Sequence, residues 1–184
     1  AGDTIGAKTN LSWKQQYTLV SFYSRANYSY KNKYYLTATV RTDGSSKLSK
    51  DNRWATFPSA AVSWRLSEEN FLKDANLFSN LKVRLGYGET GQQNIGGNYL
   101  HLTRFTPSDN TAQYQFGNQY YPTLRPEGFN AQLGWERTRT TNLALDFLWR
   151  NDRIGGTIEV YDRQTLDLLL FAPVPAGANL TNGI

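Results

Sequence analysis

A chain of 184 residues is long enough for one domain with its own core. Its composition excludes several classes: with no cysteine there is no disulfide framework and no thiolate metal site, a single histidine gives zinc too few ligands, and no run of about twenty apolar residues exists to cross a bilayer as a helix. The formal charge of +5 comes from 20 basic residues scattered among 15 acids, without the Lys/Arg run that marks a nucleic-acid surface, so no nucleic-acid partner is expected.

The first alternating segment, TLVSFYSRANYSY, places Val20, Phe22, Ser24, Ala26, Tyr28 and Tyr30 on one face, at the period of two that a strand requires. Only Lys31-Asn32-Lys33 separates it from YYLTATVRT, where Leu36, Ala38 and Val40 oppose Thr37, Thr39 and Arg41. After the stretch from Asp43 to Arg53 comes SAAVSWRL, with Ala60, Val62, Trp64 and Leu66 against Ser59, Ala61, Ser63 and Arg65. In the following SEENFLKDANLFSN, Ser67 stands as a helix N-cap with Glu68 and Glu69 placed for the helix dipole, which predicts one or two helical turns. LKVRLGYG then sets Leu81, Val83, Leu85 and Tyr87 against Lys82, Arg84, Gly86 and Gly88.

That strand runs into GYGETG (Gly86 to Gly91), a G-x-G-x-x-G of the kind that cradles a dinucleotide. The cradle works only where the glycines open a helix, whose free N–H groups and positive end bind the pyrophosphate. No period of 3.6 follows in QQNIGGNYLHLTRF, and Asp109, about twenty residues on, sits in the turn-like PSDNT with no strand before it, so the glycines read as a strand running out into a flexible glycine-rich loop. The stretch from Gln92 to Leu133 reads as a structureless loop, a length that is usually functional. Two more strands follow: Leu143, Leu145, Phe147 and Trp149 oppose Asn142, Ala144 and Asp146, and after Asn151-Asp152-Arg153, Ile154, Gly156, Ile158 and Val160 oppose Thr157, Glu159, Tyr161 and Arg163. From Phe171 the chain is a Pro- and Gly-containing tail.

Numbering these strands in order puts the three compact connections at one end of a sheet and the long stretches at the other. Tyr and Trp flank the tight turns, as they do where hydrocarbon meets headgroups, because the ring is apolar and its OH or NH wants a polar partner. Short turns at one end and long loops at the other are the layout of an outer-membrane barrel. A β-sandwich that binds glycans would show the same alternation and stays open on this pattern alone.

The stretches YYLTATVRTDGSS, NRWATFPSAAVSWRLSEENFL, SNLKVRLGYGETGQQNIG, GWERTRTTNLALDF and NDRIGGTIEVYDRQTLDLLLFAPVP resemble, in order and spacing, the SusC/RagA-like TonB-dependent transporters. GYGETG is similar to that family's strand-end Y-G-x-T-G element, while Gly86, Gln92 and Gly134 depart from the expected Ser, Asn and Lys. The resemblance implies an all-β fold: about six antiparallel strands of a larger transmembrane barrel in a Gram-negative outer membrane, with short periplasmic turns and long extracellular loops. Residues 1–184 would be part of the barrel domain, with the plug and signal peptide outside this chain. It further implies active import of oligosaccharides or peptides under a SusD-like lipoprotein lid, with energy delivered by TonB through regions outside this chain, and no enzymatic activity.

The residues add candidate roles. Arg41, Lys82, Arg84, Asp146, Glu159 and Arg163 lie on the polar faces that would line a lumen, while the apolar faces would meet membrane lipid. In the long loop, Tyr99, Arg104, Tyr114, Tyr120, Tyr121 and Arg125 offer flat rings and guanidinium donors to a sugar or a peptide backbone. No catalytic or metal-binding set is expected. His101 lacks a sequence-adjacent acid or Cys partner, and Asp43, Asp51 and Asn52 lack the spacing of a calcium loop. Asn10, Asn27 and Asn179 begin glycosylation-like tripeptides that strand and turn polarity explain.

Overall fold

The alternating segments form one six-stranded antiparallel sheet in a computed structural model that describes residues 12–74, 77–109, 111–149, 152–175 and 178. Its strands are β1 (Leu19–Tyr30), β2 (Tyr34–Ser45), β3 (Trp54–Arg65), β4 (Phe78–Gln92), β9 (Glu136–Trp149) and β10 (Ile154–Leu166), adjacent in that order. Between β4 and β9 lie four short strands, β5 (Phe105–Pro107), β6 (Gln113–Phe116), β7 (Gln119–Pro122) and β8 (Leu124–Pro126). They correct the expectation of a structureless loop. β6 pairs with β7 and β5 with β8, making one interrupted hairpin stitched at its break by Ser108 N–H to Thr123 O (2.9 Å). Loop composition hides such a ribbon, because three- and four-residue strands show too little alternation to read.

The turn between β1 and β2 is made by Lys31 and Asn32, both at positive φ (51° and 54°), closed by Lys33 N–H to Tyr30 O at 3.0 Å. A positive-φ pair matches the twist of the flanking strands and keeps the hairpin tight. The β3–β4 connection differs from its expectation in detail. A 3₁₀ turn covers Leu66–Glu68 and one α-turn, α1, covers Asn70–Lys73. Ser67 caps neither: it lies buried inside the 3₁₀ turn, and its hydroxyl has no hydrogen-bond partner among the described residues. GYGETG lies wholly within β4, so the glycines open no helix.

Little of the apolar surface is enclosed by the sheet. Apart from Ala144, the buried apolar residues among those described are Leu48, Ala55, Phe57, Leu133 and Trp135, clustered at the loop end. A parting of the strands makes room for them. β3 pairs with β4 only as far as Ser59↔Gly88, whereas β4 and β9 stay paired to Gln92↔Glu136. The next residue on β3 is Pro58, which has no N–H to continue a ladder. Phe57 fills the gap: its ring occupies the space a side chain on Gly91 would need and meets Trp135 edge-on at 5.5 Å.

Candidate functional site

The apolar face is built from rungs that cross all six strands. One rung is Tyr28, Leu36, Val62, Leu85, Leu143 and Val160, and the next toward the turns is Tyr30, Tyr34, Trp64, Val83, Leu145 and Ile158. These side chains remain open, with Val62 at 45%, Leu143 at 52% and Val160 at 69% exposure, and no second sheet covers them among the described residues. A contiguous apolar face across six strands exceeds what a water-soluble monomer leaves uncovered, and marks contact with something apolar.

The edges of this face give its orientation. On β3 the apolar stretch is bounded by Trp54 and Trp64. At the turn end Tyr30, Tyr34 and Trp64 stack in a row at 6.5 and 6.1 Å; at the loop end Phe22 stacks on Trp54 at 6.2 Å, whose indole lies across Gly44 where any Cβ would collide. The two tryptophans are about 33 Å apart along the strand, which projects to about 25 Å at the tilt usual in membrane barrels, the height of their apolar band. The band also runs obliquely. On β9 and β10 it covers Leu143 to Trp149 and Val160 to Ile154, and it is replaced above by Thr141, Arg139 and Asp162, so its centre has slipped toward the turns by about six residues relative to β3. That slip accumulates over the two or three strand spacings that separate β3 from β9 and β10, so the strands are strongly inclined to the band, which is barrel geometry.

The opposite face is polar. Asp146 is its hub: it accepts two hydrogen bonds from Arg84 (2.8 and 3.0 Å), pairs with Lys82 Nζ at 3.4 Å and accepts the Thr157 hydroxyl at 2.8 Å. Glu159 accepts from the Asn142 amide at 2.8 Å, and Arg163 lies over the Tyr161 ring. The sequence-derived set is therefore on one face, but only Lys82, Arg84 and Asp146 touch. Arg41 stands nearer the loop end, bonded to Asp43 at 2.8 Å. Ala144 shares this face between Arg84 and Glu159 and is only 1% exposed, so it lies under its neighbours. A concave stretch is lined by Thr37, Thr39, Ser59, Gly86, Gly88 and Thr140. Gly86 lies beneath the Asn142 carboxamide, which leaves no room for a Cβ.

At the loop end, the long connections are fastened together. Ser49 N–H donates to Leu133 O (3.0 Å), the Asn52 amide to Gln132 O (2.9 Å) and the Trp135 indole to Arg53 O (3.0 Å). His101 Nδ1 is 3.1 Å from Lys47 O, a structural contact. Of the loop candidates, the Tyr99 hydroxyl donates to Gln16 O at 3.0 Å and Arg104 pairs with Glu127 at 2.7 Å. Tyr114 and Tyr121 stack at 5.5 Å across β6–β7, with Tyr120 exposed on the same ribbon. Arg125 sits opposite Thr106 in the β5–β8 ladder. The structure thus stacks Tyr114 with Tyr121 on one face of the ribbon, sets Tyr120 on its other face, and leaves Tyr99 and Arg104 anchoring the loop's base. Asn27 lies in β1 and accepts from Thr37, while Asn10 and Asn179 fall outside the described residues. Among the described residues no three of His, Cys, Asp or Glu gather as a metal-holding group.

Sequence reasoning missed the role of Glu69. Its carboxylate accepts the Tyr34 hydroxyl (2.9 Å), the Trp64 indole N–H (3.1 Å) and Lys33 Nζ (3.1 Å), which ties the β3–β4 turn to the aromatic row. These three donors hold the Glu69 carboxyl below the usual carboxylate range, Trp64 contributing most. No local pattern signals this, because the donors come from 5 to 36 residues away.

Residues 1–182 match the family described as TonB dependent receptor-like, beta-barrel. The chain is 54% identical over 162 residues to the TonB-dependent receptor SusC of Bacteroides thetaiotaomicron, an alignment covering 88% of this chain and 16% of SusC. It is 36% identical over 174 residues to the TonB-dependent receptor P3 of Formosa agariphila, covering 94% and 17% respectively. Among solved structures, the RagAB peptide transporter superposes with a TM-score of 0.74 at 31% identity, over 86% of this chain and 17% of the matched one. The chain thus spans about a sixth of the length of these relatives. An oblique apolar band on one side, charge on the other and this degree of identity make the chain a member of the TonB-dependent receptor β-barrel family, on its SusC/RagA-like branch, with its six strands a segment of the barrel wall.

Proposed function

We propose that the chain belongs to an outer-membrane importer, and that it supplies part of the wall and outer loops through which oligosaccharides or peptides enter. The carrying observation is the two-faced sheet, apolar on one side and charged on the other, in a chain 54% identical to SusC over most of its length. On this reading residues 1–184 are part of one barrel domain. Leu143, Leu145 and Val160 face lipid, while Arg41, Lys82, Arg84, Asp146, Glu159 and Arg163 border a water-filled lumen. A lumen explains why Asp146 sits among two cations and a hydroxyl instead of being replaced by apolar packing.

The loop ribbon is the candidate contact for cargo. From Gln113 to Thr123 it carries no charge, and its rings Tyr114, Tyr120 and Tyr121 can stack on a sugar or a peptide backbone, with Arg104 and Arg125 at its base. The solved relative RagAB is a peptide transporter, and flat rings among uncharged amides suit a sugar as well, so both cargo classes belong to the reading. A SusD-like surface lipoprotein would close over this end, and TonB would supply energy through parts of the protein beyond this segment. The chain does no covalent chemistry. Fractionation of cells expressing the full-length protein is expected to place it in the outer membrane as a heat-modifiable barrel. Recovery in the soluble fraction would reject the reading.

A further inference from the structure

A groove of about 410 Å³ opens in the apolar face near the turn end. It is lined by Leu36, Val62 and Leu85 of one rung, by Tyr34, Trp64 and Val83 of the next, and by Tyr28 at its side. All of these side chains project from the apolar face, so the groove is continuous with the surface read above as lipid-facing. Its polar end is defined by Glu69, which takes the Tyr34 hydroxyl and the Trp64 indole N–H and pairs with Lys33 at 3.1 Å. Both charges keep access to solvent, with side-chain exposures of 18% for Glu69 and 22% for Lys33. A hydrocarbon slot that ends in a partly open cation–anion pair has the shape and charge order of one kind of molecule, an acyl chain carrying a phosphate and an ammonium.

We propose that this groove and the Lys33–Glu69 pair seat one zwitterionic phospholipid of the leaflet at the turn end. Its acyl chain lies along Leu36, Val62 and Leu85, its phosphate meets Lys33, and its ammonium meets Glu69. A purely anionic phospholipid would gain Lys33 but be repelled by the adjacent Glu69 carboxylate, so the pair selects as well as binds. The aromatic row contributes polar tips at headgroup level, where such rings rest in membranes. The proposal depends on the membrane reading above.

Native mass spectrometry of the full-length protein, extracted in mild detergent and offered phosphatidylethanolamine and phosphatidylglycerol at equal concentration, tests it. The wild type is expected to retain a single phosphatidylethanolamine in preference to phosphatidylglycerol. Val62→Trp, which fills the slot with another apolar side chain, is expected to lose that lipid while the heat-modifiable barrel band persists. Glu69→Gln, which removes the repulsion of the anionic lipid and the partner of the ammonium, is expected to abolish the preference between the two lipids, and a preference that persists in it overturns the assignment of selectivity to this pair. A folded barrel that retains neither lipid, or that retains phosphatidylethanolamine equally well in Val62→Trp, overturns the seat and leaves the importer reading standing. A protein recovered as soluble overturns both.

Discussion

Glu69 joins the turn to the aromatic row through three donors, and this carries a pH dependence whose sign is fixed. A carboxyl whose folded pKa lies below its unfolded value, about 4.3 for Glu, adds stability above that value and loses it as pH falls through the folded one. In the full-length protein, order at the turn end should therefore hold from neutral pH into mild acid and be lost below the usual carboxylate range. The measurement is the fluorescence difference between wild type and Trp64→Phe. Glu69→Gln should show the disturbed signal already at neutral pH and no acid step; an acid step that survives in Glu69→Gln would assign it to another group. Nothing in SEENFL indicates this role, since the sequence supports dipole stabilisation equally well and only the folded turn brings Lys33 and Tyr34 within reach. Ala144 shows the same limit. Period two places it correctly on the polar face, but that it lies under its neighbours depends on Arg84 and Glu159 from adjacent strands.

The long strands were legible because side-chain alternation is a local property of a strand, and the register of β2 with β3 and β4 with β9 keeps each apolar set on one side. This permits a paired test. Leu145→Arg, on the apolar face between Val83 and Ile158, should cost about 2–4 kcal/mol in membrane unfolding assays, whereas Thr140→Arg, in the polar concavity, should have little effect. Equal costs would mean that the two faces do not see lipid and water. What the strands did not reveal is the fastening of the loops, because Ser49, Asn52 and Arg53 meet Leu133, Gln132 and Trp135 across about eighty residues of chain, a separation at which no periodicity survives. Trp135→Ala removes both the ring packed on Phe57 and the bond to Arg53 O, a change that typically costs about 3–5 kcal/mol at a buried aromatic. Amide exchange in the full-length protein should then accelerate together in residues 46–53 and 130–135. Acceleration in one segment alone would show that they are not a unit.

Across the whole molecule, the sheet lacks the closure that would let it stand in water. β1 and β10 are its edges, each with a row of backbone groups facing no neighbour in the sheet, and its apolar face is open from Tyr28 to Val160. Most of the enclosed apolar side chains sit in the loop-end cluster around Leu48, Phe57 and Trp135, a small core to set against a backbone ordering cost of about 1–2 kcal/mol per residue. Lipid and the neighbouring strands of a full barrel would supply the missing burial and pairing. The 184-residue segment purified alone in water is therefore expected to show no sharp cooperative transition on heating and to bind an apolar dye, while the full-length protein in detergent resists unfolding until high temperature. A single steep calorimetric transition from the isolated segment would mean that the exposed rungs find a partner within the chain itself. That would remove the reason for assigning them to a membrane, and with it the physical basis for reading the charged face as the wall of a pore.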